Sequence, residues 1–193
     1  VGYFSVFDLS LSAGAIKYLA EHHARHDQRR FAETFWFGLG FYTLLGLAGG
    51  VLLFVFAAPL LARFFSVSAL LHDDALLALQ LAALGFALAQ AQNYLLVVPQ
   101  ALQRYDHSAG SEAVFGIVAN LASAAVALQG GGIAGVILAR VVVSAASLLW
   151  LVRMLHRLGV PLAPALPGRA TCAALAHFSV HTWLSRLASL LHQ

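Results

Sequence analysis

Three ionisable residues stand inside long apolar stretches of this 193-residue chain, and chemistry is to be sought there first. Arg140 lies nine residues past Gly131, about 13 Å along a helix, with no other charged residue within a turn on either side. A charge in the interior of a bilayer costs several kcal/mol unless it is paired or wet. Two readings follow: an arginine bonded to a neighbouring helix, or a cation lining a hydrated cavity that accepts an anion. Arg186 sits about 24 Å into the last apolar segment and is a second cation of the same kind. Asp8 is the acidic residue placed well inside the first segment; it either pairs with Arg140 or Arg186 across helices or titrates as a coupling-ion site. Lys17, one turn from the interface, is expected to snorkel.

Uncharged polar residues inside the apolar stretches are Gln90, Gln92, Asn93, Asn120 and His181. Such groups mostly hydrogen-bond between helices, for about 0.6 kcal/mol each. Gln90 and Asn93 are three apart and share a helical face, placing them to line a cavity together. Gln92, Asn93 and Asn120 are the polar cavity candidates. His22, His23 and His26 have the look of a metal cluster, but only His22 and His26 share a face and no zincin pattern accompanies them. They are read as a solvated basic loop, with no metal and no cofactor expected. Cys172 is alone, which excludes a disulfide framework and a cysteine-based metal site. No nucleotide-binding loop, serine elbow, paired catalytic carboxylates or Cys-His arrangement is present, so the chain is not read as an enzyme.

The elements that hold these residues follow from composition. Hydrophobic residues make up 61% of the chain and charged residues 10%, with a mean hydropathy of +0.82. In soluble domains about a quarter of residues are charged. No charge occurs from Thr34 to Ala62 or from Ala75 to Gln103. Each run is about 43 Å long as a helix, enough to cross a hydrocarbon core of about 30 Å and both interfaces. Ala113 to Val152 carries only Arg140 and is broken at Gln129-Gly130-Gly131-Gly132, which predicts two helices and a tight turn. Pro161, Pro164 and Pro167-Gly168 mark a loop before the final apolar stretch. Pro99 is expected to bend or weaken the end of its helix. The predicted helices are 2–22, 33–62, 74–102, 110–128, 132–157 and 171–193: an all-α, polytopic transmembrane bundle. The chain is expected to be a fragment of a longer protein, with further helices on both sides.

Orientation follows from the basic residues. Lys17, Arg25, Arg29, Arg30, Arg104, Arg153, Arg157 and Arg169 fall on one side of the predicted spans, whereas Arg63 stands alone on the other, offset by Asp73 and Asp74. The positive-inside rule makes the first side cytoplasmic. The net charge of +3 thus describes cytoplasmic loops, and no nucleic-acid partner is expected. Trp36, Phe37, Phe64, Phe65 and Trp150 lie near the predicted interfaces.

Four local motifs stand in order along the chain: Gly2 to Leu11 with Ile16 to Glu21, Val98 to Asp106, Gly130-Gly131-Gly132, and Phe178-Ser179 through Leu187; their order resembles that of polysaccharide-biosynthesis flippases. Gly2-Tyr3-Phe4-Ser5-Val6-Phe7-Asp8-Leu9-Ser10-Leu11, followed by Ile16-Lys17-Tyr18-Leu19-Ala20-Glu21, is similar to the second helix of that family. Val98-Pro99-Gln100-Ala101-Leu102-Gln103-Arg104-Tyr105-Asp106 is similar to the segment closing its fourth helix. Gly130-Gly131-Gly132 corresponds to the turn between the fifth and sixth helices, and Phe178-Ser179 through Leu184-Ser185-Arg186-Leu187 to the start of the seventh. Ser10 stands where the family usually has Gly, and Arg140 is not a fixed family position.

These flippases belong to the multidrug/oligosaccharidyl-lipid/polysaccharide exporter superfamily. The resemblance implies a two-lobe fold of 12–14 helices. Residues 1–157 would supply first-lobe helices, 158–170 the cytoplasmic inter-lobe loop, and 171–193 the first helix of the second lobe. It also implies alternating access in a bacterial cytoplasmic membrane, with an undecaprenyl-pyrophosphate-linked oligosaccharide moved to the outer leaflet. Membrane lipids and other polysaccharide-assembly membrane proteins are the implied partners. On this reading Arg140 and Arg186 hold the pyrophosphate, Gln92, Asn93 and Asn120 touch sugar, and Asp8 senses the coupling ion. A multidrug or organic-cation antiporter of the same architecture, which would favour acidic residues in its cavity, and a non-transporting membrane scaffold are the alternatives.

Overall fold

The computed structural model describes residues 11–64, 68, 71–161, 165 and 168. The segment expected over 171–193, with Cys172, His181 and Arg186, lies outside the described residues, and so does Asp8. Among the described residues the chain forms five helices and no strand: α1 (Leu11–Ala24), α2 (Gln28–Phe64), α3 (His72–Ala101), α4 (Tyr105–Leu128) and α5 (Gly132–Arg157). The last four are long and apolar enough to cross a membrane.

α2 and α4 each begin five residues earlier than their apolar runs suggest, and charged residues at the ends explain why. α2 starts at Gln28 rather than 33 because Asp27 caps it: its Oδ1 accepts the Arg30 backbone N–H at 3.1 Å. Arg29 and Glu33, one turn apart and 3.1 Å from each other, support the next turn. α4 starts at Tyr105 rather than 110, with Asp106 in its first turn where the helix dipole favours a carboxylate. Apolar composition therefore marks the hydrocarbon part of each helix, and the polar ends continue it into the interface.

Helix ends share one device. After α1, α3, α4 and α5 the residue that closes the helix takes the left-handed conformation: His26 (φ 56), Gln103 (φ 58), Gly130 (φ 76) and Gly159 (φ 72). The next backbone N–H then reaches back to a carbonyl five residues earlier, as in Asp27 to His22 at 3.0 Å and Arg104 to Pro99 at 2.8 Å. Gly131 reaches Val126 at 3.0 Å and Val160 reaches Leu155 at 3.2 Å in the same way. This Schellman closure satisfies carbonyls that the helix itself leaves without donors. It also makes the chain reverse sharply, so successive helices run antiparallel. α3 carries Pro99 within its last turn and ends two residues later, at Ala101.

The start of α5 is held from a distance. Asp74, in the first turn of α3, accepts the backbone N–H groups of Ile133 at 2.8 Å and Ala134 at 3.4 Å. This carboxylate caps a helix that has no side-chain cap of its own. It pins the Gly-rich turn to the opposite end of the bundle from the basic loops.

α3 is the central helix and touches all four others. Its contact with α2 is built on small residues. A side chain on Gly46 would come 2.8 Å from the Ala87 carbonyl oxygen, and one on Gly50 would come 2.9 Å from that of Ala83. Lipid supplies no hydrophobic drive between helices, so such close approach is what gains van der Waals contact. Nearer the basic end, the Tyr94 ring covers Gly38. It stacks on Tyr42 with centroids 5.5 Å apart and lies 6.0 Å from Phe35. Its hydroxyl donates to the Thr34 carbonyl at 3.2 Å. Leu19, Phe31, Phe35, Tyr94, Val98, Leu151 and Leu155 fill the core at this end. Toward the other end the side chains of Leu47, Val51, Phe54 and Val55 on α2 are exposed, as a lipid-facing surface requires.

Two outcomes follow. Gly46→Ala should lower stability by about 1–3 kcal/mol through its clash with α3 backbone, whereas Gly40→Ala, with open space around it, should gain up to about 1 kcal/mol; thermal unfolding in detergent compares them. Asp74→Ala should cost about 1 kcal/mol and speed amide exchange at Ile133 and Ala134 before the rest of α5.

Candidate functional site

A groove of about 300 Å³ opens between α3, α4 and α5. Its walls follow helical spacing: Glu112, Phe115, Gly116 and Ala119 on α4, and Arg140, Ser144, Ser147 and Leu151 on α5. Gln92, Asn93 and Leu96 of α3 form the floor. Polar side chains from three apolar helices therefore converge on one surface.

The floor is fixed by hydrogen bonds. The Gln92 amide nitrogen donates to the Ser144 carbonyl at 2.6 Å and to the Ser147 hydroxyl at 2.9 Å, while its oxygen accepts from the Ser144 hydroxyl at 3.2 Å. Both ends of this amide are engaged, so Gln92 works first as a tie between α3 and α5. Asn93, its neighbour, is exposed in the groove, and its amide has no partner among the described residues. Gln90 does not share this surface. It stands against Gly46 of α2, so the expected cavity pair of Gln90 and Asn93 is replaced by Gln92 and Asn93. The reason is rotational: the face of α3 holding Gln90 is needed for the close contact with α2.

Arg140 is exposed on the α5 wall, and its Nη1 donates to the Asn120 Oδ1 at 3.4 Å. Arg140 is eight residues past the start of α5 and Asn120 eight before the end of α4. Both therefore lie about 12 Å from the Gly-rich turn. The bond is long, and no carboxylate comes within salt-bridge distance among the described residues. The cation is held by a neutral amide and remains available to an anion.

Glu112 is the groove residue that sequence reasoning passed over. With α4 expected from 110 it fell at the membrane boundary. Because α4 starts at Tyr105, Glu112 is about 10 Å along the helix. Its spacing of eight residues from Asn120, a little over two turns, is the signal that places it on the same side as the Arg140 partner. It has no ion pair among the described residues. The groove thus carries a cation toward the turn, a carboxylate toward the basic end, and amides between.

The three histidines do not converge. His22 stacks on Tyr18, His23 meets the edge of Phe31, and His26 occupies the left-handed position that ends α1. Trp150 is exposed on α5 and tilts against Phe115, whereas Trp36 packs edge-on to Phe35 beside the core.

Comparison of the chain with protein-family models, curated proteins and solved structures finds no match. The functional reading therefore stands on the local motifs and on this groove.

Replacing Gln92 with Ala should lower stability by about 1–2 kcal/mol, because α3 and α5 lose a shared set of hydrogen bonds. Asn93→Ala should leave the unfolding midpoint nearly unchanged, and the difference between the two melting curves separates the tie from the cavity amide.

Proposed function

We propose that this chain is part of a membrane transporter that carries an undecaprenyl-pyrophosphate-linked oligosaccharide from the cytoplasmic to the outer leaflet of a bacterial membrane by alternating access. The observation that carries this reading is Arg140: an exposed guanidinium in a polar groove, cut into helices that are otherwise apolar enough to cross a membrane. A pyrophosphate entering a low-dielectric region needs a cation and hydrogen-bond donors to replace its water. Arg140 supplies the cation and Asn93 a free amide, within a wall that also presents serine hydroxyls. The motif order described above supports the same assignment. Asp8 and Arg186 belong to this proposal through the resemblance.

Glu112 favours a second reading. A multidrug or organic-cation antiporter needs a carboxylate in its cavity, and Glu112 lines the same groove. A scaffold is supported less well, since it would pair its embedded charges, and neither Arg140 nor Glu112 has an ionic partner among the described residues.

The experiment is complementation of a flippase-deficient strain with the full-length protein. Arg140→Ala should reduce surface polysaccharide about tenfold or more, the scale of a lost charge-assisted contact, and Arg140→Lys should retain part of the activity. Normal polysaccharide with Arg140→Ala would remove the anion role. Loss of organic-cation efflux with Glu112→Gln, alongside normal polysaccharide, would instead select the antiporter.

A further inference from the structure

We infer that the seam between α4 and α5 at the basic end of the bundle binds one anionic phospholipid, its phosphate on Arg153 and Arg157 and an acyl chain in an apolar furrow beside them. The site goes beyond the transport reading, since Asn93, Glu112 and Arg140 line no part of it.

The headgroup end is a notch of about 130 Å³ that His107 of α4 shares with Trp150, Arg153 and Arg157 of α5. Arg153 and Arg157 are one turn apart, so their side chains leave the same face of the helix. Both are exposed, and neither has a carboxylate within salt-bridge distance among the described residues. Asp106 borders the seam but is engaged by Arg104 at 3.8 Å and by His107 at 3.6 Å. Two guanidiniums are thus left without a counter-charge, and their planar donor sets suit phosphate oxygens.

Beside the notch, and sharing His107, Trp150 and Met154 with it, runs a furrow of about 320 Å³. Val114 and Phe115 of α4 and Trp150 of α5 form its walls. Its base includes the buried Met154, whose sulfur lies 3.9 Å from the Ser111 hydroxyl. Gly110 keeps one side open, because even a side chain built there would meet nothing.

The order of charge and apolar surface matches that of a lipid. Arg157 ends α5, and Trp150 lies seven residues before it, about 10 Å deeper. The guanidiniums therefore stand at headgroup level and the indole at the edge of the hydrocarbon, where Trp is favoured. On α4, His107 is two residues past the start and Val114 nine, about 3 Å and about 14 Å along the helix. A free phosphate would use the notch and leave the furrow empty. A zwitterionic lipid would bring its own cation beside the arginines. An anionic phospholipid satisfies both halves, and each arginine near the membrane surface favours it by about fivefold.

The test places the full-length protein in nanodiscs of phosphatidylcholine containing a minor fraction of phosphatidylglycerol brominated on its upper acyl carbons. Quenching of Trp150 is read as the difference from Trp150→Phe. Brominated phosphatidylglycerol should quench with an apparent affinity about tenfold or more above that of brominated phosphatidylcholine at the same fraction. Replacing both arginines, Arg153→Gln with Arg157→Gln, should remove the preference, about fivefold for each, whereas Arg153→Lys with Arg157→Lys should keep most of it. Gly110→Leu should fill the furrow and weaken quenching, and inorganic phosphate should not displace the lipid. Melting curves identify the folded variants; should the Gln pair not fold, the comparison of the two lipids on the unmodified protein decides. Equal quenching by the two lipids, a preference that survives loss of both arginines, or undiminished quenching in Gly110→Leu overturns the site. Displacement by inorganic phosphate at matched concentration assigns the notch to a free anion and overturns the lipid occupant.

Discussion

The hydrogen bonds from Gln92 to Ser144 and Ser147 are the interaction on which the rest of the groove depends. In water an exposed amide would be a minor surface feature. Between membrane helices it is one of the few directional forces available, because lipid tails do not drive apolar helices together. By joining α3 to α5 it fixes the rotation of both. Asn93 and Arg140 then face the same space, and Gln90 is turned toward α2. α4 closes the third wall through the tight turn and through the Asn120–Arg140 contact.

The two ends of the bundle are built differently. At the basic end, aromatic and branched side chains from α1, α2, α3 and α5 fill a core around Tyr94. Toward the opposite end, α2 and α3 meet at glycines with little side-chain interlock, and the turn is held chiefly by the Asp74 carboxylate at the start of α5. Packing of many buried atoms resists rearrangement, whereas a glycine contact and a single cap are easier to rearrange. The proposed alternating access would accordingly place larger movements at the Gly-rich end and keep the aromatic core as the fixed part.

Charge placement within the groove follows from helix register. Antiparallel α4 and α5 bring positions 120 and 140 to one level, and the same register sets Glu112 about two turns away. Close pairing would neutralise both groups and leave a structural ion pair. Neither group has an ionic partner among the described residues, so each charge is left available on the groove wall.

Much of the helical layout was legible in the sequence, because it depends on local composition. Charge-free runs of bilayer length mark the spans, Gly130 to Gly132 mark a turn, and the bias of Lys and Arg distinguishes the two sides. Helix starts were less legible: Asp27 and Asp106 extend α2 and α4 into polar sequence that hydropathy reads as loop. Arg140 could be named as a candidate from its isolation among apolar residues, and Asn93 as a polar group inside a span. Which polar residues share a surface was decided only by the tertiary structure. Rotation of a helix about its axis depends on the neighbours it packs against, and no single helix carries that information. Thus Gln92 became a tie, Gln90 turned to α2, and Glu112 joined Arg140 across a groove made by three successive helices.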